Sequence, residues 1–308
     1  MELFTSNNVD FLGKRKIAFI ISGTIILLGI IFFFINGGFN YSIDFTGGTM
    51  LEVRFDEKVD VGEIRSLIQG LGVGQPTVQT FSSGDKENNG VLIRFQGKQI
   101  KDTDADVSSI IISALKDNYE SITDDKISTE HIGPKIGNEL RATALKAILL
   151  SLVLMLIYVW IRFQFRFGVA AILALIHDVL CTLAVFTILN QRISLTVVAA
   201  LLTIIGYSIN DTIVISDRIR ENMKVLFRKK FSELVNTSLN QVFSRTIITS
   251  LAVFFVVLSI FLFGGSVIFE FSLALLVGVI FGTYSSIFIV SPIVVEWEKR
   301  MPKKVLKR

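Results

Sequence analysis

The chain has 308 residues, 51% of them hydrophobic and 19% charged, with a formal net charge of +4 and a mean hydropathy of +0.60. That hydrophobicity excludes a disordered chain, and 22 Gly with 4 Pro exclude a fibrous one. A single Cys excludes an internal disulfide and a cysteine zinc site, which leaves a membrane protein as the first expectation.

The first apolar run is Ile17–Ile35, preceded by Lys14, Arg15 and Lys16. It is longer than the roughly 7–15 residues of a signal-peptide core, and no small-x-small cleavage pattern follows, so it reads as a permanent anchor. A polar stretch, 37–138, separates it from five further runs: Ala142–Ile161, Phe167–Leu189, Ile193–Ile215, Ile247–Phe263 and Phe271–Val295. A helical span needs about 20 apolar residues, so the pattern predicts six transmembrane helices. Six runs near that length have no ready place in a soluble core. The predicted organisation is an amino end with the first span (1–36), a polar domain (37–138), a five-span bundle (139–297) and a basic tail (298–308).

Lys and Arg set the orientation. They gather at the amino end, at Arg162 and Arg166, in the segment from Arg218 to Lys230, and in the tail from Lys299 onward. The alternate connections hold only Arg192 and, in 264–270, none. Both ends are therefore expected to be cytoplasmic and the polar domain extracytoplasmic. That domain carries 10 Lys and Arg against 16 Asp and Glu, so the rest of the chain holds a net charge of about +10. The basic balance is a topology signal and predicts no nucleic-acid partner. The stretch Lys224–Lys230 could rest on anionic membrane lipid or remain a solvated loop.

Within the polar domain, Leu51, Val53 and Phe55 alternate with Glu52 and Arg54, which predicts a strand inside Tyr41–Phe55, starting directly after the anchor. Val61, Ile64, Leu67, Ile68 and Leu71 form a helical stripe. Thr77–Phe81 and Val91–Phe95 read as strands on either side of a polar loop, Ser82–Gly90. Asp104 or Asp106 can cap a helix running to about Tyr119, and Ile127–Ile132 is a last strand. The order β-α-β-β-α-β predicts a ferredoxin-like α+β domain. The fold class is an α-helical polytopic membrane protein carrying that domain. Asp44, beside Gly47 and Gly48, reads as a turn acceptor.

Ionisable side chains inside spans mark function by default. His177 and Asp178 fall near the middle of the third run, and Asp211 falls in the fourth within Gly206-Tyr-Ser-Ile-Asn-Asp-Thr212. Arg245 falls near the start of the fifth. Antiparallel neighbours would bring Asp211 and Arg245 to similar depth, where each offsets the other's burial. The functional reading is a proton relay at Asp211. Asn210, Thr212, Ser208 and Thr246 would supply hydrogen bonds, and Asp178 would hold the tautomer of His177. The structural alternatives are a static ion pair, a snorkelling Arg245 and a packing histidine.

Three stretches together resemble the SecD/SecF family of protein-export membrane proteins, within the resistance-nodulation-division superfamily. They are Ser42-Ile-Asp-Phe-Thr-Gly-Gly-Thr49, the fourth-span motif from Ile205 to Glu221, and Ser244-Arg-Thr246. His177-Asp178 and Gly133-Pro-Lys-Ile-Gly137 are similar too, while Ser216 departs from the larger apolar residue expected there. The resemblance implies a multi-pass protein of the bacterial cytoplasmic membrane. It implies a complex with SecD, work beside SecYEG, contact with YajC and with unfolded preprotein, and use of an H⁺ or Na⁺ gradient. Asp211 and Arg245 match its ion-coupling positions. The chain has no Gly-x-x-x-x-Gly-Lys-Ser/Thr loop, no His-Glu-x-x-His and no Gly-x-Ser-x-Gly, so neither enzymatic activity nor a cofactor is expected. Two rival readings are a small-molecule exporter subunit and a non-transporting assembly scaffold.

Overall fold

The computed structural model describes residues 9–56, 59–72, 76–83, 86–95, 107–119, 122–162, 165–265 and 267–300. Among the described residues, six helices are long and apolar enough to cross a membrane. The first, α1 (Arg15–Ile35), has 21 residues; at 1.5 Å per residue it is about 31 Å long, the thickness of a bilayer's hydrocarbon core. One helical turn, α2 (Ile43–Thr46), and two helices of the α+β domain, α3 (Val61–Gly70) and α4 (Val107–Asn118), come next in the chain. The bundle then continues with α5 (Pro134–Arg162), α6 (Phe165–Ile188), α7 (Leu195–Val225) and α8 (Phe231–Phe263). The last span is composite: α9 (Phe269–Ser285), a π-helical segment (Ser286–Val290) and α10 (Ser291–Arg300).

Several helices outrun the apolar runs that announce them. Helix α5 starts at Pro134 rather than Ala142, α7 continues to Val225 rather than Ile215, and α8 starts at Phe231 rather than Ile247. Hydropathy marks only the lipid-crossing part, whereas the backbone hydrogen-bond ladder continues through polar turns until something stops it. Pro134 suits a first helical turn, because its fixed φ is pre-set and its missing N–H is not needed there.

Helices α6, α7 and α9 form the buried centre, while α1, α5 and α8 lie at the periphery with few of their span residues buried. Lipid supplies no hydrophobic drive between helices, so close backbone approach through small residues matters. Gly278 and Gly282, one turn apart on α9, meet Ile204 and Ser208 of α7. On the other side of the bundle, a Cβ on Gly29 of α1 would stand 2.7 Å from the Cα of Ala184 on α6. Gly29→Ala is therefore expected to push α1 off α6 and lower stability by about 1–3 kcal/mol, read as earlier thermal unfolding in detergent. An unchanged midpoint would contradict the contact.

The segment before α1 is docked rather than loose. Asn236 and Asn240 lie one turn apart on α8 and hold the backbone of this segment with their amides. Val9 N–H donates to Asn240 Oδ1 at 2.9 Å and Phe11 N–H to Asn236 Oδ1 at 2.9 Å. Both amides donate back to Val9 C=O, at 3.0 and 2.9 Å. Phe11 is buried against Phe243 of α8 and Phe288 of the π segment. At about 1 kcal/mol net per hydrogen bond, Asn236→Ala with Asn240→Ala should free this arm. The expected readout is rapid amide exchange and proteolysis at residues 9–12 with the bundle intact.

The α+β domain is built as the alternation predicts. Strands β1 (Gly48–Arg54), β2 (Thr77–Ser83), β3 (Lys86–Phe95) and β4 (Ile127–Ile132) form one antiparallel sheet in the order β2-β3-β1-β4. With α3 and α4 on one face this is the ferredoxin-like arrangement. The core joins Leu51, Val53 and Ile93 of the sheet to Ile64, Ile68, Ile111 and Leu115 of the helices. Asp60 caps α3, its carboxylate accepting from Gly62 N–H at 2.6 Å. The β2–β3 hairpin pairs as far as Ser83 and Lys86, so the segment 82–90 is largely strand rather than loop. Cross-strand pairing satisfies the backbone there whatever the side-chain polarity. The proposed caps Asp104 and Asp106 lie outside the described residues.

The strand does not begin directly after the anchor. Tyr41 makes an isolated bridge with Ile193, and Ser42 N–H donates to Ile193 C=O at 2.9 Å, so the linker pairs with the α6–α7 connection. The turn α2 follows, and β1 starts only at Gly48. Gly47 has φ +76° and ψ 159°, a conformation natural only to glycine. A Cβ on Gly48 would lie 2.5 Å from Phe95 C=O. The glycine pair is thus the hinge that lets the helical turn abut the sheet. Asp44 is not a local turn acceptor: its Oδ2 accepts from Leu195 N–H at 2.9 Å, at the first residue of α7. A carboxylate suits that position because the first helical N–H groups lack partners.

Candidate functional site

Two buried carboxylates lie deep in the bundle. Asp178 is 13 residues into α6, about 20 Å along its axis, and fully buried. A buried carboxylate must be hydrogen-bonded, and this one has three partners. His177 Nδ1 lies 3.0 Å from Oδ1, while Ser208 of α7 and Ser285 of α9 donate to Oδ2 at 2.6 and 2.9 Å. With Nδ1–H directed at the carboxylate, His177 Nε2 is left to accept from Ser22 Oγ of α1 at 2.9 Å. Tyr284 stacks on the imidazole, places its hydroxyl 3.2 Å from Ser22 Oγ and donates to Ala18 C=O at 2.6 Å. One polar cluster thus joins α1, α6, α7 and α9.

Asp211 is buried near the middle of α7, because that helix extends well past the apolar run. Its Oδ2 accepts from Ser250 Oγ of α8 at 3.2 Å, and Thr283 of α9 donates to Ser250 Oγ at 2.8 Å. The expected contact ion pair with Arg245 is not formed among the described residues. Arg245 lies on the exposed side of α8 and acts on Asp211 only through its field. The helical phase explains this: Ser250 and Thr246 turn inward, which carries Arg245 outward.

The other predicted residues divide in the same way. Ser208 serves Asp178 rather than Asp211. Thr212 is buried, Thr246 Oγ1 is buried with no hydrogen-bond partner among the described residues, and Asn210 and Gly206 are exposed on the outer face of α7. Sequence reasoning missed Ser22, Thr283, Tyr284 and Ser285 and gave Ser250 no role. The available signal was a run of hydroxyls, Thr283-Tyr-Ser-Ser286, inside an apolar span.

At one end of the bundle, α7 is tied to its neighbours by an ion pair and by hydrogen bonds. Arg162 of α5 pairs with Asp217 at 3.0 Å, Arg218 bonds Gln241 of α8 at 2.7 Å, and Asn222 bonds Ser238 and Gln241 at 2.8 and 2.7 Å. At the other end, a cavity of about 510 Å³ opens between the sheet and the starts of α7 and α9. It is lined by Arg94 of β3, Arg192 of the α6–α7 connection, Glu270 of α9 and Asp44. Burial first, and the nearby Arg94, hold the Arg192 guanidinium below its ordinary range, while Glu270 opposes them. The α+β domain and the bundle therefore meet across charges of both signs.

Known proteins match this architecture. The family model described as protein export membrane protein SecD/SecF, C-terminal, matches residues 111–300, and the SecD/SecF GG motif matches residues 32–59. The second match contains Gly47 and Gly48. A protein translocase subunit SecF from Calditerrivibrio nitroreducens is 43% identical over 293 residues, covering 94% of this chain and 93% of its own. The one from Haemophilus influenzae is 41% identical, covering 91% and 83%. The crystal structure of SecDF from Thermus thermophilus, a translocon-associated membrane protein, superposes with a TM-score of 0.80 at 38% identity. It covers 97% of this chain, which spans only 40% of that longer one. The six spans, the ferredoxin-like domain and the glycine hinge thus carry a relationship that runs the length of the sequence: the chain belongs to the SecD/SecF family of protein-export membrane proteins.

Proposed function

We propose that the chain is an ion-driven subunit of Sec protein export, working in the bacterial cytoplasmic membrane with both ends in the cytoplasm and the α+β domain outside. The observation that carries this reading is the pair of buried carboxylates, Asp178 and Asp211, each held by hydroxyls in mid-helix. Such groups are costly in a membrane and bind protons or cations in exchange for that cost. Moving one proton inward releases about 2.3 kcal/mol per 100 mV, enough to bias a helix rearrangement.

Protonation at Asp211 alters its tie to Ser250 and its field on Arg245, and both lie on α8. The motion reaches the α+β domain through α9, whose Glu270 faces Arg94 and Arg192. The exposed faces of α5 and α8, with Asn210 and Gly206 on α7, fit a partner bundle. SecD is that partner in this reading, since the solved SecDF chain carries a counterpart of this one within 40% of its length. SecYEG supplies the emerging preprotein; YajC is a further contact. The coupling ion is H⁺ or Na⁺, and no bond-making chemistry is assigned. The test is completion of preprotein transport in membrane vesicles with and without this chain, before and after collapse of the gradient. The reading requires a gradient-dependent component that disappears with the chain; equal gradient dependence in both preparations overturns it.

A further inference from the structure

Three consecutive residues of α9 contact three different helices through hydroxyl groups. Thr283 bonds Ser250 of α8, Tyr284 bonds Ala18 of α1, and Ser285 bonds Asp178 of α6. Successive helical residues are turned by about 100°, so one turn of α9 faces all three neighbours. Gly282 makes the approach possible, since a Cβ there would lie 3.1 Å from Ser208 Cβ.

Thr283 and Ser285 share a second property. Each also has a carbonyl of its own helix in reach: Thr283 Oγ1 lies 2.8 Å from Val279 C=O, and Ser285 Oγ lies 3.2 Å from Gly282 C=O. A hydroxyl has one proton to donate, so it serves either the neighbouring helix or its own backbone.

We propose that Thr283 and Ser285 are positioning residues that sense the charge of Asp211 and Asp178 and convert it into a change of grip by α9. The proposal rests on the coupling reading of those carboxylates. When Asp211 is ionised, Ser250 donates to it and Thr283 donates to Ser250. When Asp211 takes up one proton, its new O–H donates to Ser250 Oγ, the Ser250 proton turns to Thr283 Oγ1, and the Thr283 proton turns to Val279 C=O. No atom is gained or lost beyond the proton at Asp211. At Asp178 the ionised carboxylate accepts from Ser285 and Ser208; once it is protonated, Ser285 turns back to Gly282 C=O.

The cross-helix ties of α9 are thus charge-assisted in one state and neutral or broken in the other. Other groups face the same sites. Asp211 has Arg245 acting from α8, and Tyr207 of its own helix stands beside Ser250 and Thr283. Asp178 has His177, with Cys181 and Ser22 beyond it at the imidazole. Helix α9 reaches both carboxylates through hydroxyls two residues apart, Ser285 by direct contact with Asp178 and Thr283 through Ser250 to Asp211. The π-helical segment begins at Ser286, whose own hydroxyl bonds back to Thr283 C=O at 2.9 Å. Hydroxyls that bond their own helix loosen it, and π segments gather at functional sites, so this is the place where a change of grip becomes a change of helix geometry.

The experiment is amide hydrogen exchange of residues 279–290 in the full chain in lipid vesicles, at acidic and alkaline pH, corrected for intrinsic rates. The wild-type chain should show protection that differs between the two. Thr283→Val and Ser285→Ala should each shrink that difference about three- to tenfold, the equilibrium weight of one hydrogen bond. Thr283→Ser and Ser285→Thr should keep it. The proposal is overturned if Thr283→Val and Ser285→Ala retain the wild-type difference, or if Thr283→Ser behaves like Thr283→Val, which would mark a packing role. Asp211→Asn in the transport assay separates the two readings. Lost gradient dependence there with unchanged exchange in the hydroxyl variants sinks the sensing role alone; retained gradient dependence with flattened exchange sinks the coupling role alone.

Discussion

Replacing Asp211 by Asn should reduce preprotein release to its gradient-free level while leaving the chain folded. The amide matches the carboxylate in shape and can still accept from Ser250, so stability should change by no more than about 1 kcal/mol. It cannot take up a proton, and a ligand that does not bind shifts no equilibrium. Arg245→Gln should cause a smaller loss, because that residue acts on Asp211 through its field and not by contact. A crosslinking assay for trapped preprotein, with and without the gradient, reads both. Full gradient dependence in Asp211→Asn would remove Asp211 from the coupling step, and an Arg245→Gln defect as deep as that of Asp211→Asn would contradict action at a distance.

The second large effect is on stability. Asp178→Leu would leave His177 Nδ1–H, Ser208 and Ser285 aimed at an apolar side chain in the centre of the bundle. Each stranded donor costs about 1–3 kcal/mol, so a loss of about 3 kcal/mol or more is expected before any relaxation by rotation toward backbone carbonyls. Asp178→Asn keeps an acceptor and should lose less than half as much. Thermal unfolding of the two variants in the same detergent distinguishes them. Equal midpoints would mean that the cluster does not hold the four helices together.

The two halves of the molecule were legible to different degrees. The six spans and the β-α-β-β-α-β order can be read directly because burial imposes a period, 3.6 in a helix and 2 in a strand. Leu51 and Val53 announce β1, and Ile64 with Ile68 announces α3. Helix ends were less legible: Phe231–Val242 is helix outside the apolar run and has no hydropathy signature. In the site, the costly residues Asp178 and Asp211 stand out because ionisable groups are rare in spans. Their partners do not, because Ser and Thr are common in membrane helices and the phase that aims Ser285 at Asp178 is set by packing on α7. Arg245 shows the same limit. Matching depth suggested a pair, but depth says nothing about rotation about the helix axis, and rotation places the guanidinium on the outer face. Asp44 was misread for a related reason. Its partner Leu195 lies 151 residues away, beyond the reach of any local pattern.

The docked arm before α1 bears on how the chain is made. Val9 and Phe11 leave the ribosome well before their partners Asn240 and Asn236, which lie 231 and 225 residues later. Tyr284, which bonds the carbonyl of Ala18, comes later still, at a separation of 266. The arm therefore waits without its partners while α1, α5, α6 and α7 are made. Its final place is taken only when α8 and α9 arrive, so the contacts of this arm close late. A tag or fusion added just ahead of Val9 would act on that late closure, slowing maturation in the membrane more than it alters the finished protein.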